Sequence, residues 1–179
     1  MASEPYERSE ESKPAESRPV DARWRELART ANEALALGDG ARARISYEAA
    51  LVEAEGLLRA EQIRDAAQAA ISPDATRLAP MLFVIASQNL AELDRRERHF
   101  ERASALLFEA FDRIAAIAET PDAPLSLRAA CARNFAPALA EIVGDLTTRG
   151  CSDELQPLLD RANAAQRAVA LAVTNTPTS

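Results

Sequence analysis

Apolar positions recur at steps of three and four from Asp21 nearly to the C-terminus, the spacing that lines one face of a helix. The clearest case is residues 100–119, where Phe100, Ala103, Leu107, Ala110, Ile114 and Ile117 form a single stripe. Turn signals punctuate the pattern. "LGDG" at 37–40 offers two glycines able to take the positive φ of a helix terminus. "ISPD" at 71–74 places Ser72 as N-cap, Pro73 at the first helical position and Asp74 in the first turn. "TPDAPLS" at 120–126 and "RGCSDE" at 149–154 are the next two breaks. The pattern predicts helices at about 21–37, 41–70, 72–96, 100–119, 126–148 and 152–173. Pro80 and Pro137 predict kinks or a shifted start, and Gly56 a local bend. Six helices with short turns predict an all-α fold of three antiparallel helical hairpins.

The ends differ from the middle. Residues 1–21 are polar and charged with prolines at 5, 14 and 19, which predicts a disordered acidic tail. A helical domain at 22–174 and a short polar tail at 175–179 complete the expected organisation.

Composition narrows the function classes. Aromatics make up 4% of the 179 residues and hydrophobic residues 47%, with alanine, leucine, arginine and glutamate prominent, as an alanine-rich helical core requires. The net charge of −7 argues against generic nucleic-acid binding, because phosphate repels an acidic surface. Lys13 is the one lysine, an arginine bias that reads as a GC-rich bacterial genome. Cys131, Cys151 and His99 are too few for a four-ligand zinc site, and two free thiols fit a reducing cytoplasm. The N-terminus lacks the basic start and apolar core of a secretory signal, and the apolar run "APMLFVIA" falls far short of the ~20 residues of a membrane helix. A cytoplasmic protein with no membrane partner is expected.

Three segments share a register. "LGDGARARISYEAAL" aligns Gly38, Ala43, Tyr47 and Ala50 with Phe100, Ala103, Leu107 and Ala110 of "ERHFERASALLFEAF". "RGCSDELQPLLDRAN" follows more loosely with Gly150, Leu155, Leu159 and Ala162. The first two segments, with Ala31 and Ala91 as the small residues of the preceding helices, resemble tetratricopeptide repeats. The likeness is strong over residues 24–55, moderate over 87–117 and weak beyond. Two features depart from that family. Ala43, Ala103 and Leu155 are spaced by 60 and 52 residues rather than 34, and Ala34 stands where a bulky aromatic belongs. The resemblance implies a right-handed stack of hairpins whose first helices line a concave groove holding a partner's polypeptide segment. It places Arg25, Arg29 and Asn32 in that groove from the first hairpin, Gln88, Asn89 and Glu92 from the second, and Glu141 from the third. Asn32 and Asn89 stand where the family's peptide-carboxylate clamps place asparagines. Arg128 and Arg133 would join only in a shifted register.

Candidate chemistry is sparse. His99 is the sole histidine and sits at a turn, with no nucleophile and acid arranged about it. Glu53 and Glu55 read as a solvated helix face, and no phosphate-loop, dinucleotide or zinc-protease motif occurs. The expectation is a non-enzymatic adaptor or scaffold, without cofactor or metal, that binds another protein or an acidic peptide segment. A small acidic secretion-type chaperone and a self-associating helical bundle, a homo-oligomer, remain as alternatives.

Overall fold

The computed structural model describes residues 19–64 and 73–175. The tails at 1–18 and 176–179, the Ser72 cap and residues 65–70 of the second predicted helix lie outside them. The described residues form α1 (Ala22–Ala36), α2 (Gly40–Ile63), α3 (Pro73–Arg96), α4 (Phe100–Glu119), α5 (Leu125–Arg133), α6 (Phe135–Arg149) and α7 (Leu155–Thr174). A single 3-10 turn, Ser152–Glu154, leads into α7, and no strand occurs among these residues. The fold is all-α.

Two boundaries differ from expectation. α2 stops at Ile63 rather than near residue 70, because Arg64 turns to extended backbone. The predicted helix at 126–148 is two helices meeting at Asn134. Pro137 has no N–H for the carbonyl of Arg133 and its ring crowds that carbonyl, so the helix restarts with Pro137 inside the new first turn, where the missing donor is harmless. Asn134 Nδ2 donates to the Ala130 carbonyl at 2.8 Å and closes α5. Pro80, by contrast, lies inside the continuous α3 and is fully buried.

Each of the first four helices packs on the next. The cross-links show the directions. α1 joins α2 through Asn32–Tyr47 and Arg23–Glu53, and α2 joins α3 through Arg44–Asp94 and Thr76–Glu61, partners that run in opposite senses along each pair. α3 and α6 run parallel, joined through Gln88 to Pro137 and Arg95 to Glu141. α4 lies at the centre, in contact with α3, α5, α6 and α7.

The turns repeat in atomic detail. Gly38 and Arg98, 60 residues apart, have φ of 77° and 64°. The next amide in each turn reaches back to the last helical turn, Asp39 N to Ala34 O at 2.9 Å and His99 N to Asp94 O at 2.7 Å. Gly150 repeats the device after α6, with φ 71° and Cys151 N donating to Leu146 O at 2.9 Å. Only Arg98 holds this left-handed conformation with a side chain, which costs ~1–2 kcal/mol. Arg98→Gly is therefore expected to stabilise the protein by up to about 1 kcal/mol, since glycine's extra freedom when unfolded offsets part of the gain. Chemical denaturation measures this, and a destabilised variant would mean that the arginine has an unseen favourable contact.

The core follows from the register. Ala31, Ala43 and Ala50 are buried where α1 packs on α2, and only small side chains let the helix axes approach there. Sixty residues on, Ala91, Ala103 and Ala110 are buried at the matching positions. The main core gathers around Leu107, Phe111, Ile114, Phe135 and Ile142, with Phe111 and Phe135 ring centroids 5.6 Å apart. Cys131 is buried there, and burial pushes its thiol up to about 12. Both cysteines are free.

Candidate functional site

One side of the molecule is formed by α1, α3 and α6. α3 supplies its middle, because its outward ridge carries Gln88, Asn89, Glu92, Arg95 and Arg96 at helical spacing. Gln88 and Arg95 lean toward α6, where Gln88 Nε2 donates to the Pro137 carbonyl at 3.0 Å and Arg95 pairs with Glu141 at 3.2 Å. Arg96 pairs with Glu92 at 2.9 Å and, with it, borders the Tyr47 hydroxyl on the side of α1. Tyr47 donates to Asn32 Oδ1 at 2.5 Å. Burial raises the Tyr47 pKa, Arg96 opposes that shift and Glu92 adds to it.

α1 and α3 both pack on α2 with little contact between them, so Tyr47 of α2 lies between them. On the other side of α3 an open cavity of about 670 Å³ separates α3 from α6 above the first turn of α4. Phe100, Ala140, Gly144 and Thr148 line it, with Arg95, Glu101, Glu141, Asp145 and Arg149 also on its wall. Phe100 is the one member of the α4 stripe that does not join the core. At the first position of α4 it remains 57% exposed. Behind it, buried Ser104 donates to buried Asp145, and Arg149 Nη1 donates to Ser104 Oγ at 2.7 Å. The hydrogen bond to Asp145 raises the Arg149 pKa above its ordinary value. This small network fixes the cavity's floor.

The structure brings the sequence-predicted residues partly together. Asn32, Gln88, Asn89 and Glu92 face the α1–α3–α6 side, and Glu141 stands on it at the cavity. Arg25 and Arg29 are exposed on α1 and paired to Asp21 at 2.6 Å and Glu33 at 2.7 Å, so neither is a lone cation. Asn32 already serves Tyr47, and Gln88 already serves Pro137. Arg128 points inward and donates to the Ala118 carbonyl at 3.0 Å, while Arg133 lies on a separate shallow depression with Asn134 and Arg77. The cavity residues Arg95, Phe100, Gly144 and Arg149 were not legible as a site. Gly144, an isolated glycine within a helical pattern, was the available signal.

A second cluster sits on the opposite edge of α3. Asp94, Glu97 and His99 place ligand-type atoms within 4.8 Å of one another. Arg44 Nη2 lies 2.6 Å from both Asp94 Oδ1 and Glu97 Oε2, and Arg102 approaches Asp94 to 3.8 Å. A divalent cation would have to displace a guanidinium, so the set reads as a structural ion-pair clamp. Desolvation lowers the Arg44 pKa, but the bonds to Asp94 and Glu97 outweigh it and the net shift is upward.

No helix among the described residues is long and apolar enough to cross a membrane. The chain belongs to the family described as protein of unknown function (DUF2753), whose model matches residues 22–176. No curated protein and no solved structure matches it.

Proposed function

We propose that this DUF2753 chain is a non-enzymatic polypeptide-binding module of tetratricopeptide-like kind, acting in the bacterial cytoplasm. A partner segment lies along the α1–α3–α6 side and anchors one apolar side chain in the cavity beside Phe100. The observation that carries this reading is the half-exposed Phe100 over an open cavity whose polar floor is already satisfied internally. An aromatic beside a vacant apolar space is the usual centre of a binding hot spot. The recurring turns and the small residues at equivalent positions support the repeat-like stacking, and its right-handed sense belongs to the same reading. The exposed pair Arg29–Glu33 supports an acidic partner, since such a pair is worth ~0–1 kcal/mol and exchanges its carboxylate at little cost.

Selection from displayed peptides, followed by titration of a selected one, tests this. Phe100→Ala and Gly144→Leu are each expected to weaken binding by roughly 30-fold, the equivalent of a 2 kcal/mol hot spot. A Cβ at Gly144 meets no atom within 4 Å, so a side chain there starts into open space on the cavity wall, and circular dichroism checks that the leucine variant keeps its fold. Arg29→Ala should weaken an acidic peptide further. Asn32→Ala is less clean, because it also orphans the buried Tyr47 hydroxyl. Affinity that ignores both cavity variants would place the binding surface elsewhere.

A further inference from the structure

α2 carries a second apolar face that none of the other helices among the described residues covers. Ile45, Val52 and Ile63 are 68%, 69% and 89% exposed. Their separations of seven and eleven residues, two and three helical turns, put them on one narrow stripe pointing away from the core. Ala41, Gly56 and Ala60 are exposed along the same stripe.

The stripe is complementary to itself when run antiparallel. With two copies of α2 laid antiparallel and crossing at the level of Ala54, Ile45 meets Ile63 of the other copy, and Val52 meets Gly56. A Cβ at Gly56 would touch nothing within 4 Å, so that position is an open notch for valine. The flanks agree. Glu48 and Arg59 lie on the same side of the stripe, and a two-fold axis across the helices brings Glu48 of each copy to Arg59 of the other. Both are exposed, with Glu48 at 52% and Arg59 at 64%. Their present partners are weak or renewable: Arg44 is 3.9 Å from Glu48, and Glu55 meets Arg59 from one turn away.

We infer that the chain forms an antiparallel two-fold dimer through α2, independently of what the α1–α3–α6 side binds. A closed isologous contact of this kind satisfies both copies at once. The stripe is about 27 Å long and one helix wide. Its contact therefore falls below the ~1,200–2,000 Å² that stable interfaces bury, in the range of weak, transient association, and the dimer dissociates on dilution.

Sedimentation velocity of the full chain over a wide concentration series tests this, with circular dichroism to confirm that each variant is folded. The wild type is expected to shift from monomer to dimer as concentration rises. Val52→Arg, at an exposed position, is expected to keep its helicity and stay monomeric. Glu48→Arg and Arg59→Glu should each weaken self-association, while an equimolar mixture of the two restores a dimer containing one of each. Wild type that remains monomeric throughout overturns the inference, as does dimer that survives Val52→Arg. Loss of dimer in both charge variants without recovery in the mixture overturns the antiparallel register.

Discussion

Replacing Arg44 by methionine is expected to destabilise the protein by about 3–5 kcal/mol, because it strands a carboxylate that has no exposure to water. Asp94 is fully buried, and its Oδ1 receives Arg44 Nη2 at 2.6 Å. Its Oδ2 has no hydrogen-bond partner, and the exposed Arg102 approaches it only to 3.8 Å. The loss would be a large share of a typical stability of about 5–15 kcal/mol. The pair itself is a different matter. Arg44→Met combined with Asp94→Leu removes both charges, and such exchanges are often neutral or stabilising. Urea denaturation of the two single variants and the double variant decides the matter. A double variant as unstable as Arg44→Met would show that Asp94 is held by more than its charge partner.

Phe111→Ala is expected to cost a similar ~3–5 kcal/mol, here by opening a cavity. Phe111 has no exposed surface and sits in α4 between the helices of both halves. Its ring packs on Phe135 at 5.6 Å and 59°, a tilted arrangement worth about 0.5–1.5 kcal/mol beyond burial. At about 2–4 °C per kcal/mol for a chain of this size, the melting temperature should fall by roughly 10 °C. A double-mutant cycle with Phe135→Leu should recover the ring-pair energy as coupling. A fall of only one or two degrees would mean that α6 and α7 collapse into the space, and that the C-terminal helices are loosely seated.

The strongest pattern in the sequence gave the most accurate element. The stripe from Phe100 to Ile117 is amphipathic from end to end, and α4 spans Phe100–Glu119 as expected. The burial of Ala43 and Ala50 was legible because small residues at fixed spacing have one common use, the close approach of helices. What escaped reading depends on partners far along the chain. Asp94 lies in the charged run "LDRRERHF" and looks solvated, yet Arg44 reaches it from 50 residues away. In the repeat register Asp94 occupies the place of buried Ala34, so only the repeat hinted at its burial. The cavity escaped for the same reason. Its walls come from the end of α3, the start of α4 and the stretch of α6 from Ala140 to its end, and no local periodicity encodes the gap between them. The break at Asn134 was signalled by Pro137, but a proline perturbs the turn before it, so the break falls upstream of the residue that causes it.

The order in which the helices stack also sets where the molecule opens first. α4 is held on several sides, whereas α1 rests on α2 and has no comparable second neighbour. Local opening is cheapest for an element with one supporting surface. α1 can therefore lift away and reseat while the rest of the bundle keeps its shape. When it does, the Tyr47–Asn32 bond breaks and the α1 edge of the binding side disappears, while the Phe100 cavity, built on α3, α4 and α6, is untouched. Amide exchange in α1 would be the quickest of the helices, and a ligand spanning both edges would slow it by fastening a mobile end to a rigid one.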